Sequence, residues 1–393
     1  MRLLKIFMIL DSPFGAYHHY SAQLCNALCE RREIDEVFFV PIFAERHRSG
    51  ISEEEAELLD PRVVVDLIVP GGKSRVWRYF VFSINLFRHL KNVLRSMPCL
   101  IHIQTGTGLQ LLDTTLLVFY RILGIPIVRT VHELTTAERI KEENSLDRWL
   151  GKNQLRMADA VIAHNLQVKE RVLQLRGEGV AISVIPHCHY LVFRKFIPNE
   201  KEAEMPFNDP PVALFFGFKR HKGIEIFLQA LQVLQEKGFP IRARIVGRIN
   251  PGDEDLVQKI RHLPGVEINP GYIPNSEMWK IYAKSDFVVL PYIKGTTSGA
   301  IHLAYAFKRP VIASDLDCFR DLVIDGKTGI VVPKGDPSAL ADGIVRICQD
   351  REERIRMGEA GFNRTASETY SWEGIAEKTA QIYTEAFERR KKK

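Results

Sequence analysis

The chain has 393 residues, too many for one ordinary hydrophobic core and suited to two domains of about 180 residues each. With 46% hydrophobic and 26% charged residues it is globular, neither disordered nor fibrous. The formal charge of +6 is modest, its basic run sits on one helix, and no recognition motif accompanies it, which argues against nucleic acid as a partner.

The N-terminal MRLLKIFMIL is apolar, but Asp11 ends it and no small-residue cleavage site follows. It reads as a first β-strand over residues 3–10, not as a leader. No stretch approaches the roughly 20 apolar residues a membrane span needs, because Asp113 and Arg121 interrupt the best candidate. Cys25, Cys29, Cys99, Cys188, Cys318 and Cys348 form no CxxC pair, which points to reduced thiols and a cytoplasmic protein, free or held peripherally at the inner membrane face.

After strand 3–10 come a loop ending in Gly15 and a helix over 21–31. Further strands are expected at 37–41, 63–68, 100–103, 127–130, 160–163 and 182–185. Residues 71–96 carry Lys73, Arg75, Arg78, Arg88, Lys91 and Arg95 with no acid, interleaved with Trp77, Tyr79, Phe80, Phe82 and Phe87. Two readings stand level here: an amphipathic helix lying on an anionic bilayer, or a core helix with a solvated basic face. His132-Glu133 follows a strand and is either an acid–base pair or a histidine beside a helix-start carboxylate. His187-Cys188-His189 offers three ligands without a second cluster of matching spacing. A cleft-lining role for His187 and His189 fits better than a metal, and no metal is expected.

The polar, proline-containing segment 198–211 reads as a linker between a first domain (1–197) and a second domain (212–371). A last helix and basic tail occupy 372–393. In the second domain strands are expected at 212–216, 242–246, 266–269, 287–290 and 311–313. Helices are expected at 224–236, 255–263, 276–283, 298–307, 337–349 and 351–362. Short apolar runs alternating with helical patterns give an α/β protein: two Rossmann-like domains with parallel sheets, and a ligand in a central cleft at the carboxyl ends of the strands.

Two loops of the second domain carry the chemistry. In one, strand 287–290 leads into Thr297-Ser298-Gly299-Ala300, where small residues open a helix whose first N–H groups lack intrahelical partners. That is an anion site, or else Ser298 is a plain helix cap. In the other, Gly217 permits a tight turn after strand 212–216, and Lys219, Arg220 and Lys222 follow before Gly223. An Arg fork and a Lys charge suit a departing diphosphate.

The stretch 212–366 resembles the donor domain of family 4 glycosyltransferases of the GT-B fold. The resemblance rests on Gly217–Gly223, IVGR at 245–248, GYIPNSEM at 271–278, AKSDFVVLPY at 283–292, RPVIASD at 309–315, VIDGKTGIVVP and DPSALADGI. It is weaker in the first half, at Gly15, TVHEL (130–134) and VIPHCHY (184–190). It implies a nucleoside diphosphate sugar donor, with Arg220 and Lys222 on the diphosphate and the backbone of Ser298, Gly299 and Ala300 on the distal phosphate. It further implies Tyr272 and Ile273 near the base, Gly15 near the phosphates, His132 against the transferred sugar, a first domain on the acceptor side with His187 and His189, and a last helix that crosses back to the first domain. The paired glutamates of many members are replaced by Gly295 and Leu303, and the usual Arg after the first glycine by Phe218. The expected activity is retaining sugar transfer to an acceptor hydroxyl, in polysaccharide or glycolipid assembly. The alternatives are a catalytically silent GT-B scaffold, or a nucleotide-sugar epimerase or hydrolase.

Overall fold

The computed structural model describes residues 4–10, 16–41, 53–66, 75–106, 110–132, 145–176, 181–199, 208–249, 253–261, 263–295 and 298–392. The chain forms two compact units, one of residues 1–187 with 368–393 and one of residues 188–367.

The first unit has a seven-stranded parallel sheet in the order β3-β2-β1-β4-β5-β6-β7. Its strands are β1 Leu4–Leu10, β2 Ile34–Pro41, β3 Val64–Val65, β4 Cys99–Ile103, β5 Ile127–Val131, β6 Ala160–Ala163 and β7 Ala181–Val184. Its helices are α1 Ala16–Cys29, α2 Arg75–Arg95, α3 Gln110–Ile122, α4 Ser145–Met157 and α5 Leu166–Arg176. A sheet covered on both faces is apolar along its whole strands, which is why Ile6-Phe7-Met8-Ile9-Leu10 shows no alternation. Helix α1 begins five residues before the expected start at Ser21. Tyr17-His18-His19-Tyr20 has poor intrinsic helix propensity, but burial of His18 and Tyr20 overrides it. The strand expected at 63–68 shortens to Val64–Val65, and residues 67–74 lie outside the described set.

The second unit has a six-stranded parallel sheet in the order β10-β9-β8-β11-β12-β13. Its strands are β8 Val212–Phe216, β9 Arg242–Gly247, β10 Val266–Pro270, β11 Phe287–Leu290, β12 Val311–Ser314 and β13 Gly329–Val332. Its helices are α6 Ile224–Glu236, α7 Glu254–Arg261, α8 Met278–Ala283, α9 Gly299–Ala306, α10 Pro337–Gln349 and α11 Arg351–Thr365. Asp336 and Asp350 cap α10 and α11 through Ala339 N–H and Glu353 N–H. Strand β13 escapes the sequence reading because it opens on a glycine. A Cβ on Gly329 would lie 2.4 Å from Val311 O, so the strand needs that residue to approach β12.

The boundary between the units falls ahead of segment 198–211. Residues 191–196 pack on helices α8 and α9 of the second unit, where Arg194 Nη1 donates to Ala306 O at 2.9 Å. Residues 201–207 lie outside the described set. At the other end α12, Trp372–Lys391, packs on α1 in the first unit, with Ser371 capping its start through Gly374 N–H. Its Tyr383 hydroxyl lies 2.6 Å from His102 Nδ1.

Candidate functional site

In the second sheet, β8, β9 and β10 run outward in one direction and β11, β12 and β13 in the other. The order therefore reverses between β8 and β11, where open parallel sheets bind ligands beyond their carboxyl ends. The two loops singled out in the sequence follow these two strands.

Gly217 closes β8 with φ +100°, its N–H donating to Val246 O at 2.7 Å. A Cβ there would lie 3.1 Å from Lys222 Nζ, so glycine leaves room for that side chain to fold back. Lys222 Nζ donates to Phe216 O at 3.2 Å and sits 5.7 Å from the centre of the Tyr292 ring. Gly223, at φ +77°, presses against the other strand end: a Cβ would fall 1.8 Å from Pro291 O. Ile293 N–H donates to His221 O at 3.0 Å, which ties the loop after β8 to the loop after β11.

The start of α9 is built differently from an ordinary cap. Ser298 occupies the N-cap with extended backbone, φ −143° and ψ 107°, yet its side chain makes no capping bond. Its Oγ lies instead 3.2 Å from the Tyr292 hydroxyl. Lys222, Tyr292 and Ser298 thus form one line from the β8 loop to the first turn of α9. The Ser298 side chain therefore leaves the leading N–H groups of that turn to other partners. Gly299 is required here, since a Cβ would meet the buried Tyr190 ring at 2.7 Å. Ala300 is half-buried in the same turn, and Thr297 lies outside the described residues.

Arg220 stands apart from this line. Its exposed guanidinium donates to Asp255 at 2.8 and 3.0 Å and pairs with Glu225 and, at 3.5 Å, Asp253. The Asp255 hydrogen bonds hold its pKa above the ordinary arginine value. Three carboxylates share the fork the sequence offered to a phosphate. Phe218, in the place of the usual arginine, is fully buried in the core with Phe215 and Phe227. Leu303, where other members have a glutamate, is also buried. Tyr272 and Ile273 follow β10, two strands from β8; Tyr272 is exposed and Ile273 buried.

The first unit holds a chain of buried polar groups at the carboxyl ends of β4 to β7. His164 Nδ1 lies 3.0 Å from Ile185 O, a pure acceptor, so that nitrogen carries a proton. His164 Nε2 is then bare and accepts from His132 Nδ1 at 2.9 Å. Neutral His132 is left with a bare Nε2, which lies 2.7 Å from Gln104 Oε1. The contact is satisfied when the Gln104 amide turns its NH2 towards the ring, a half-turn that exchanges oxygen and nitrogen. His102 continues the chain, 2.8 Å from Thr130 Oγ1 and 2.6 Å from the Tyr383 hydroxyl. Burial holds His132 well below its ordinary pKa and holds His102 and His164 near about 3. Tyr20 of α1 packs against His132, His164, His187 and Trp372 at ring distances of 5.0 to 5.3 Å.

Sequence reasoning found His132 and His187 but missed Gln104, His164 and Tyr20. His164 follows β6 as His132 follows β5, so position at a strand's carboxyl end was the available signal. His187 belongs to the first unit and His189 to the second, where Leu191 N–H approaches its Nδ1 at 3.4 Å. Among the described residues no group of three His, Cys, Asp or Glu side chains is arranged to hold a metal ion. Gly15 and Glu133 lie outside the described residues. The basic helix expected within 71–96 is α2, with Phe87 72% exposed, and no described helix is long and apolar enough to cross a membrane.

The chain is similar in sequence and in fold to known glycosyltransferases. Residues 210–350 match the family described as Glycosyl transferases group 1, and residues 19–189 match Glycosyltransferase Family 4. The chain is 33% identical over 283 residues to a phosphatidyl-myo-inositol mannosyltransferase of Mycobacterium leprae, covering 67% of this chain and 68% of that one. It is 27% identical over 286 residues to an alpha-D-kanosaminyltransferase of Streptomyces kanamyceticus, covering 67% and 72%. Sucrose-phosphate synthase of Thermosynechococcus elongatus has the same fold, with TM-score 0.74 and 22% identity over 98% of this chain and 99% of that one. So does Anabaena HepE, solved with UDP and glucose, with TM-score 0.71 and 16% identity over 97% and 99%.

Proposed function

The chain belongs to the group 1, family 4 glycosyltransferases of the GT-B fold, and from that premise we propose how it works. It is a transferase, and we take its donor to be a nucleoside diphosphate sugar and its acceptor a hydroxyl. The anomeric carbon–oxygen bond breaks, leaving an oxocarbenium-like sugar and a diphosphate with growing negative charge. Lys222 and the leading N–H groups of α9 meet that charge as it develops, a kind of stabilisation worth about 3 kcal/mol per donor.

The observation that carries this reading is the Lys222–Tyr292–Ser298 line, which sets a cation beside a helix start that its own N-cap serine does not cap, at the point where the strand order reverses. Built-in positive charge of this kind removes the need for a metal, so a chelator should leave turnover intact. Arg220, already shared by three carboxylates, takes the smaller part: it steadies the turn and swings to the diphosphate only at the cost of those pairs. His132 contacts the transferred sugar, and the configuration at the anomeric carbon is retained. The acceptor is a lipid-linked or polysaccharide precursor, reached at a membrane surface on which α2 lies.

The test combines donor binding with turnover. A melting-temperature screen against UDP, GDP, ADP and their sugars identifies the donor, since a true ligand stabilises by mass action. Lys222→Ala should then lower transfer by about 100-fold with the fold intact, and unchanged turnover would remove Lys222 from the site. Donor binding without transfer to any acceptor would favour the silent scaffold instead.

A further inference from the structure

The first unit carries an apolar surface that its own core leaves unused. Helices α2, α3 and α4 lie side by side on one face of the first sheet. His89 of α2 and the Tyr120 hydroxyl of α3 are 2.7 Å apart. Gln154 of α4 donates to Gln110 O and Thr114 Oγ1 of α3, and Arg121 Nη1 of α3 donates to Met157 O. Their inner faces supply Leu90, Leu116, Leu117 and Leu155 to the core.

The outer faces break the rule for helices that meet water, which present charged and polar side chains there. Every exposed position of α3 is Leu111, Thr115, Val118 or Ile122, a stripe spaced four, three and four residues apart with no charge in it. Leu111 is 71% and Ile122 80% exposed. On α2, Phe87 and Leu94 stand out, and on α4, Leu146 and Trp149 are 60% and 61% exposed. A large exposed apolar area of this kind marks an interaction surface.

Charge decides the partner. Helix α2 holds Arg75, Arg78, Arg88, Lys91 and Arg95 and not one acidic residue. Arg88 pairs with buried Asp66 at 3.1 Å, and among the described residues the exposed charges of the three helices are Lys91, Arg95 and Arg156, all cations. Exposed cations beside single large apolar side chains match a bilayer with anionic headgroups: the headgroups take the cations, and the layer beneath takes Phe, Leu and Trp to a depth of about 5–10 Å. We propose that α2, α3 and α4 together form a docking face that seats the first unit on an anionic lipid surface. This rests on and extends the α2 reading above, by making α3 and α4 half of the contact. The helices lie in the plane of the interface, α2 reaching about 30 Å along it.

The test is sedimentation of the full chain with phosphatidylcholine vesicles, with and without phosphatidylglycerol, at low and high salt. Wild type should bind the anionic vesicles and lose affinity as salt rises. Ile122→Glu and Trp149→Glu should each weaken binding about tenfold while melting temperature and transfer to a soluble acceptor stay unchanged. If Phe87→Glu abolishes binding but the α3 and α4 variants bind like wild type, the contact is confined to α2 and the three-helix face is wrong, though the α2 reading survives. Failure of wild type to bind anionic vesicles would overturn both. A dimer in solution that Ile122→Glu splits, without vesicle binding, would assign the face to a second copy and refute the proposal.

Discussion

Mild acid should unfold the first unit, and the buried histidine chain sets how steeply. His102 and His164 are 0% and 4% exposed, and burial lowers both from 6.5 to about 3. A group whose folded pKa lies below its unfolded value binds more protons when unfolded, so stability rises with pH across the interval between the two. The contribution is complete above the unfolded value of 6.5 and is lost as pH falls from there towards the folded value near 3. Lowering pH from about 6.5 to about 5 therefore costs about 1.6 kcal/mol per histidine, or about 3 kcal/mol for the pair. His132 adds in the same direction, because burial and its neighbouring histidines lower it further. Asp60, held near 2 chiefly by hydrogen bonds from Arg62, titrates below this window in both states and does not confuse it. The loss is a large share of the 5–15 kcal/mol that ordinarily separates folded from unfolded domains. Urea unfolding followed at a series of pH values gives the slope directly, and His102→Gln should reduce it by about one proton. A slope near zero between about pH 6 and about pH 5, or one that His102→Gln leaves unaltered, would refute the assignment of neutral buried histidines.

Three substitutions in the second unit test its packing. Gly223→Ala places a Cβ 1.8 Å from Pro291 O at φ +77°, so it should lower the melting temperature sharply, by about 10 °C or more in a thermal scan. Gly299→Ala forces either the Tyr190 ring or the first turn of α9 to move from a 2.7 Å clash; isothermal titration should find nucleoside diphosphate binding about tenfold weaker. Asp286 is fully buried and accepts from Val212 N–H at 2.6 Å and Asn208 N–H at 2.7 Å. Asp286→Ala strands those donors and should cost about 2–4 kcal/mol in chemical denaturation.

The second unit was far more legible in the sequence than the first site. Strand 212–216, helix 224–236, strand 287–290 and helix 337–349 fall where periodicity put them, because each is a short apolar run or an amphipathic stretch between glycine, proline or capping residues. The glycine-bearing turns could be read too, since Gly217 and Gly223 sit at the end of an obvious strand. What could not be read was which side chains take each other's hydrogen bonds. Asp253 and Asp255 lie more than thirty positions from Arg220, and only the fold shows that they claim its guanidinium. The histidine chain is hidden for the same reason: His102, His132 and His164 come from three strands that become neighbours only through pairing of β4, β5 and β6. The same limit applied to α3, whose apolar outer stripe looks from sequence like any core-facing pattern.

The first unit is discontinuous in sequence, and that has a consequence for its synthesis. Tyr383 closes the polar chain at His102, and α12 packs along α1, yet both come from the segment Glu368–Lys393. As the chain leaves the ribosome, residues 188–367 are all available before that segment emerges, so the second unit can complete its core first. The unit begun first is finished last, waiting through the translation of its neighbour with the groove for α12 uncovered. A chaperone that shields apolar surface during synthesis would therefore be engaged by the N-terminal part of this chain for longer than its position in the sequence suggests.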